Sequence, residues 1–356
     1  MQLALPFIAA HLMPLHPTRE FAPPVGFGSG RSICFTAAKW RLSSSIGWKL
    51  LYKEPDAIVR EQLGLPALPK RNKSGYWDYV LTDQVPVVMG WSASLVPPPA
   101  DWASHVHVCG HLSLPATPYT PSAELSDFLA KSPADRASQP VFIGLGSMMG
   151  AAFDSDLKRL AVARAWVRAA TYAGCDVLID LQHCSESVKA ALHEDGLPAN
   201  PRFFLIDSPL PHSWLFPQCS LVACHGGAGT VHQALAAGCP VVAMPCLPAE
   251  SDQPFWAAAC YRAGVSPNAG LPASRLGSGE KLGRALKQSR SDRGLFERAE
   301  RLSVGMRSEG GAAAAARVVV QAAEAASARA RAAGHILGMP HGDMPREDMA
   351  TYANAL

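Results

Sequence analysis

The chain has 356 residues, a formal net charge of +3, 48% hydrophobic residues and 17% charged residues. That length accommodates two domains of ordinary size, and the composition excludes general disorder. A charge this near zero, without a dense Lys/Arg block, argues against nucleic acid as a partner.

Taken in order, the opening MQLALPFIAAHLMPL is apolar. It lacks the basic start and small-residue cleavage site of a signal peptide, and His11 and Pro14 interrupt it. No stretch reaches the roughly 18 apolar residues needed to span a bilayer. The expectation is a soluble, cytoplasmic protein, with peripheral contact at a membrane surface left open. Residues 1–118 are rich in Pro, Trp and His and give few clean periods. PVGFGSGRS (24–32) reads as loop, WKLLYKEPDAIVREQLGL (48–65) as a helix bent at Pro55, and YVLTDQVPVVMGW (79–91) and HVHVCGHL (105–112) as short strands. A Pro/Ser/Ala-rich linker, assigned to 119–139, carries a short helix over ELSDFLAK.

From Pro140 strand and helix alternate. PVFIGLG, CDVLIDL, FFLID, SLVAC and PVVAMP read as buried strands. Helices are expected over 154–173, SVKAALHEDG, TVHQALAAG and DQPFWAAACYRAG, with Gly196, Gly238 and Gly264 as stops. Three more helices come after these, the last alanine-rich, and residues 334–356 form a patternless tail. Continuous apolar strands alternating with helices indicate an α/β, doubly wound parallel sheet with ligands at the strands' carboxyl ends. The nine cysteines (Cys34, Cys109, Cys175, Cys184, Cys219, Cys224, Cys239, Cys246, Cys260) are odd in number and without CxxC spacing. They read as buried free thiols.

The most informative segment is SLVAC-HGGAGT-VHQALAAG. A strand runs into His225-Gly226-Gly227-Ala228-Gly229-Thr230, where a helix begins. Glycines let backbone amides approach an anion, and the helix start adds unpaired N–H groups and a positive dipole end. Thr230 is expected to cap the helix and donate to a phosphate, and His225 to donate an imidazole N–H. This is a diphosphate seat that needs no metal. It is neither the dinucleotide fingerprint nor a Walker loop. The bland alternative is a tight turn using glycine for geometry alone.

HGGAGT, then AGCPVVAMP, then SDQPFWA resemble the signature of the UDP-glycosyltransferase superfamily, nearest to sterol 3-beta-glucosyltransferases and bacterial glycopeptide or macrolide glycosyltransferases. PLPHSWLFPQCSLV and FIGLGSM are similar to donor-domain segments of that family. MPLHPTREFAPP, REQLGLP and PPPADWASHVHVCG are similar to its later acceptor-domain segments. The resemblance implies a GT-B fold: a partial N-terminal acceptor domain (1–118) and a C-terminal Rossmann-like UDP-sugar donor domain (140–333). It implies that Ser147, His225, Gly227, Ala228, Gly229 and Thr230 hold the donor diphosphate, and that Asp252 and Gln253 read sugar hydroxyls. A plain helix N-cap is the alternative for Asp252. Gln233 stands where many relatives place an acidic residue on the ribose, which weakens that role.

The implied reaction is an inverting transfer of a hexose, glucose first, from a UDP-sugar to a hydroxyl of a sterol or other lipid-like acceptor. The donor is a substrate, and no cofactor or metal is implied. HVHVCGH could place His105, His107 and Cys109 as a zinc site, against the reading of an ordinary strand. The resemblance begins inside the acceptor domain, and the family's opening strand, glycine-rich turn and catalytic base have no counterpart here. The chain is then a truncated product, one half of a two-chain enzyme, or a UDP-sugar-binding remnant without activity. The catalytic residue stays unassigned. His11, His16 and Asp83 are polar candidates expected in loops or at the surface, and Trp40, Trp48, Trp77 and Trp91 line an acceptor cleft or pack in the core. Nucleotide-sugar epimerisation and nicotinamide-dependent oxidation rank lower, the latter for want of a GxGxxG turn opening a βαβ unit.

Overall fold

The computed structural model describes residues 8–21, 23, 36–47, 53–62, 64, 85–114, 118–132, 135–247 and 251–332. The loop read at 24–32, Cys34, Trp48, Trp77, Asp83 and the tail 334–356 lie outside them. The chain divides into two compact units. One comprises Met1–Ala93, Pro97–Leu114 and Glu309–Leu356, and the other Ser94–Val96 and Pro115–Ser308.

The first unit contains β1 (Ala9–His11), α1 (Thr36–Gly47), α2 (Lys53–Gln62), β2 (Val87–Met89) and β3 (Val106–Val108). The strands form a parallel sheet in the order β1-β2-β3, with Ala9 opposite Val87 and Val87 opposite Val106. The central strand is the most apolar, and all of it is buried. Local pattern announces neither β1 nor α1. The three residues of β1, AAH, are too few to show a period, and only pairing with β2 reveals the strand. Trp91 is fully buried, and Trp40, also buried, donates from Nε1 to the Phe21 carbonyl at 3.0 Å. Core packing is therefore the role of both.

The second unit runs α3 (Ala123–Ala130), β4 (Val141–Ile143), α4 (Met148–Ala152), α5 (Asp156–Ala173), β5 (Val177–Asp180), α6 (Glu186–Glu194), β6 (Phe203–Ile206), α7 (His212–Leu215), β7 (Leu221–Cys224), α8 (Ala228–Ala236), β8 (Val241–Ala243), α9 (Gln253–Arg262), α10 (Glu280–Ser291) and α11 (Arg293–Ser308). Its five strands are all parallel, in the order β6-β5-β4-β7-β8. Every residue of β4, β5, β7 and β8 is buried, as helices on both faces require. The core gathers Val141, Ile143, Val177, Ile179 and Leu221 from the sheet with Trp166 of α5 and Leu286 of α10.

The last helix, α12 (Gly311–Ala332), belongs to the first unit. Just before it, Glu309 accepts a hydrogen bond from Ser92 Oγ at 2.9 Å. Gly110 makes room for this passage: a β-carbon there would meet Glu309 Cβ at 2.8 Å. No helix among the described residues is long and apolar enough to cross a membrane. The eight described cysteines are free thiols, seven of them buried and Cys246 half-buried.

Candidate functional site

The strand order β6-β5-β4-β7-β8 places a topological switch between β4 and β7. From β4 the chain winds outward through β5 and β6, then returns to β7 and winds the other way to β8. A crevice opens beyond the carboxyl ends of the strands at such a switch. Two turns flank it here: Gly144-Leu145-Gly146-Ser147 after β4, and His225-Gly226-Gly227 after β7. The sheet thus brings together two segments that the sequence assigns to one site. Ser147 is exposed at the N-cap position of α4.

Two glycines of the second turn are required by shape. Gly226 sits at φ 87°, and a β-carbon there would also press on the Gln253 carbonyl at 3.3 Å. Gly227 lies beneath the His225 ring, where a β-carbon would run into Nε2. The helix starts earlier than expected. Gly227 is the N-cap of α8, Ala228 is its first residue, and Thr230 lies inside the first turn, so the expectation that Thr230 caps the helix is corrected. Thr230 instead belongs to the first turn, whose amides have no partner within the helix. Gly229 is exposed and Thr230 and Gln233 are partly so, all on α8.

His225 is largely buried, and its Nδ1 has no hydrogen-bond partner among the described residues. Burial lowers its pKa, and the nearby Asp252 carboxylate partly offsets this. The neutral ring keeps one N–H donor and one acceptor. Asp252 occupies the N-cap position of α9 but makes no side-chain bond to that helix. Its Oδ2 accepts instead from the Ala228 N–H at 3.1 Å, so the plain N-cap alternative does not describe it. Gln253 is buried, and its Oε1 accepts from the N–H groups of Cys246 at 2.8 Å and Leu247 at 3.1 Å.

Two further polar groups share this end of the sheet, and sequence reasoning missed both. Asp180 closes β5, buried, with Oδ1 accepting from the Gln182 N–H at 3.1 Å. Burial raises its pKa, and the Gln182 N–H and the charge of His212 work against this. The His212 ring stacks on Phe216 at 4.4 Å and meets Phe142 edge-on at 5.6 Å. Burial lowers its pKa, Asp180 raises it and His225 lowers it. The signal available for Asp180 was a carboxylate ending an apolar strand. For His212 it was an imidazole in the PLPHSWLFP string.

In the first unit His16 lies in a loop, as expected, and is buried, 6% exposed, whereas His11 departs from the loop-or-surface expectation by ending β1. His107 lies on β3 and His105 just before it, and Cys109 Sγ donates to the His107 carbonyl at 3.5 Å. Among the described residues no group of three or more His, Cys, Asp or Glu side chains is placed to hold a metal ion.

No family model matches the chain. It is 28% identical over 325 residues to a sterol 3-beta-glucosyltransferase of Cryptococcus neoformans, covering 87% of this chain and 19% of the relative. It is 29% identical over 326 residues to one of Arabidopsis thaliana, covering 88% and 44%. A second Arabidopsis sterol 3-beta-glucosyltransferase is 30% identical over 279 residues, covering 77% and 40%. The chain thus spans less than half the length of these relatives. Among solved structures it is similar to the glycosyltransferase of kitacinnamycin, with a TM-score of 0.58 at 17% identity, covering 81% of this chain and 67% of that one. It is also similar to the calicheamicin glycosyltransferase CalG4, with a TM-score of 0.53 at 17% identity, covering 81% and 65%. At these identities the structures speak for fold alone, and that fold is GT-B. With the sequence relatives beside it, the chain is similar over most of its length to part of the sterol 3-beta-glucosyltransferases, on a GT-B fold.

Proposed function

We propose that this chain seats a UDP-hexose, glucose foremost, and acts in its inverting transfer to the hydroxyl of a sterol or similar lipid-like alcohol. The observation that carries the reading is the His225–Thr230 turn at the switch point, facing the turn that holds Ser147. The amides of Gly229 and Thr230, the Thr230 hydroxyl, the His225 imidazole and Ser147 would meet the diphosphate, with the positive end of α8 behind them. Asp252 and the Gln253 amide nitrogen would read sugar hydroxyls, and Gln233 would lie toward the ribose. The names of the curated relatives support glucose as the sugar and a sterol as the acceptor.

In this reaction the bond from the anomeric carbon to the phosphate oxygen breaks as one to the acceptor oxygen forms. The acceptor proton passes to a base. Charge gathering on the departing UDP is met by groups already in place, the largest single contribution such a site makes. We include in the proposal that no resident metal or cofactor is needed, and that the chain meets its lipid acceptor at a membrane surface.

Calorimetric titration of the full chain with UDP-glucose tests the reading. Replacing both His225 and Thr230 with Ala is expected to weaken binding at least ten-fold, since each hydrogen bond to a charged group contributes about 1.5–3 kcal/mol. Unchanged affinity would overturn it. Incubation with UDP-glucose and a sterol is expected to yield a β-glucoside, whereas binding without turnover would leave a donor-binding remnant.

A further inference from the structure

The positive end of α8 already has an anion. Asp252 Oδ2 accepts from the Ala228 N–H at 3.1 Å, across 24 positions of sequence. An Asp at an N-cap position ordinarily turns its carboxylate onto the amides of its own helix. Asp252 forgoes that and serves the neighbouring helix. Gly227, the N-cap residue of α8, has no side chain with which to satisfy the Ala228 amide. The first α8 amide to find a partner within its own helix is that of Val231, on the Gly227 carbonyl at 3.1 Å. The carboxylate therefore sits among the amides assigned to the donor diphosphate.

We propose that Asp252 is a built-in stand-in for that diphosphate: it caps α8 while the site is empty and is displaced from Ala228 when a nucleoside diphosphate seats. This rests on the donor-binding reading above. Two anions cannot stand at one helix start without repulsion. A donor that carries its sugar offers the displaced carboxylate new hydroxyl partners, whereas free UDP offers none. Asp252 thus disfavours the spent nucleotide relative to the loaded one and hastens its departure after transfer.

The test titrates UDP and UDP-glucose into the wild-type chain and Asp252→Asn, with thermal unfolding of each protein empty and loaded. Asn keeps an acceptor for Ala228 but removes the charge. The variant is expected to bind UDP about three-fold tighter or more, the size of a helix-terminus charge effect, while the preference for UDP-glucose over UDP shrinks by at least as much. The empty variant is expected to melt at a lower temperature, because α8 loses its anion. A role in sugar contact alone would leave UDP affinity and the empty protein's melting unmoved. UDP binding to the variant but not to the wild type would support the proposal in its strongest form. UDP binding to both with equal or lower affinity in the variant would overturn it and leave the donor reading standing. Binding to neither would overturn both. Should Asp252→Asn fold poorly, Asp252→Ser, another neutral acceptor, reads the same sign.

Discussion

At Gly227 the His225 ring occupies the space where a β-carbon would go. A Gly227→Ala chain must swing the imidazole aside, moving a donor out of the proposed diphosphate seat. UDP affinity is expected to fall about ten-fold or more, by titration, for the loss of one hydrogen bond to a charged group. Gly226 tests a different property of the same turn. Its φ of 87° is left-handed, and Gly226→Ala is expected to destabilise the second unit by about 1–2 kcal/mol in urea unfolding. The residues of this turn were legible because glycines between His and Thr, after an apolar strand, leave few chemical uses. Asp252 was legible as a polar residue at a helix start and, through the SDQPFWA resemblance, as a sugar contact, but not as the partner of the Ala228 amide. Its partner Ala228 stands 24 positions earlier, and no local pattern couples the two. Asp180 and His212 escaped notice for the same reason, since each gains its setting from neighbouring strands.

Elements obey the same division between local and non-local signals. The strands of the second unit were readable as unbroken apolar runs, and the helix stops at Gly196, Gly238 and Gly264 all adopt the left-handed conformation that favours glycine. In the first unit β1 is three residues long and leads into a group of packed rings. His11 ends β1, and the buried His16 ring meets His105 edge-on at 5.5 Å and Trp102 at 5.7 Å. Burial lowers the pKa of both His11 and His16 to about 4. His105 and His11 add to the depression at His16, and Asp101, held by Thr18 at 2.6 Å, opposes it. Folded, these rings take up protons only near pH 4, while in the unfolded chain they do so near pH 6.5. Between those values the unfolded state binds more protons, so stability falls as pH falls from 6.5 to 4. Thermal unfolding across that range is expected to show this slope, and His16→Phe, which keeps a ring between Trp102 and His105, to make it shallower.

Over the whole molecule the chain visits its first unit three times: Met1–Ala93, Pro97–Leu114 and Glu309–Leu356. The last visit is held by the Glu309–Ser92 hydrogen bond and by Gly110, which admits the Glu309 side chain. Ending the chain after Ser308 is expected to lower the unfolding temperature of the first unit and to leave the second unit, and with it UDP binding, in place. Limited proteolysis with titration reads both. Equal loss in the two units would show that α12 supports the whole chain. Composition announced the alanine-rich helix itself, but its unit is set by Ser92 and Gly110, far upstream in the chain.

The central pairing of the second sheet has a kinetic consequence. β4 and β7 lie side by side, although the Pro140 carbonyl and the Ser220 hydroxyl bonded at their start are 80 positions apart. About two fifths of the unit's length must be looped out before the crevice has two walls, and such distant closures come slowly. Nucleotide capture would therefore be among the last abilities a refolding chain regains. Once regained, it holds the sheet shut, because a ligand that recognises only the closed form shifts the balance toward it in proportion to its own concentration.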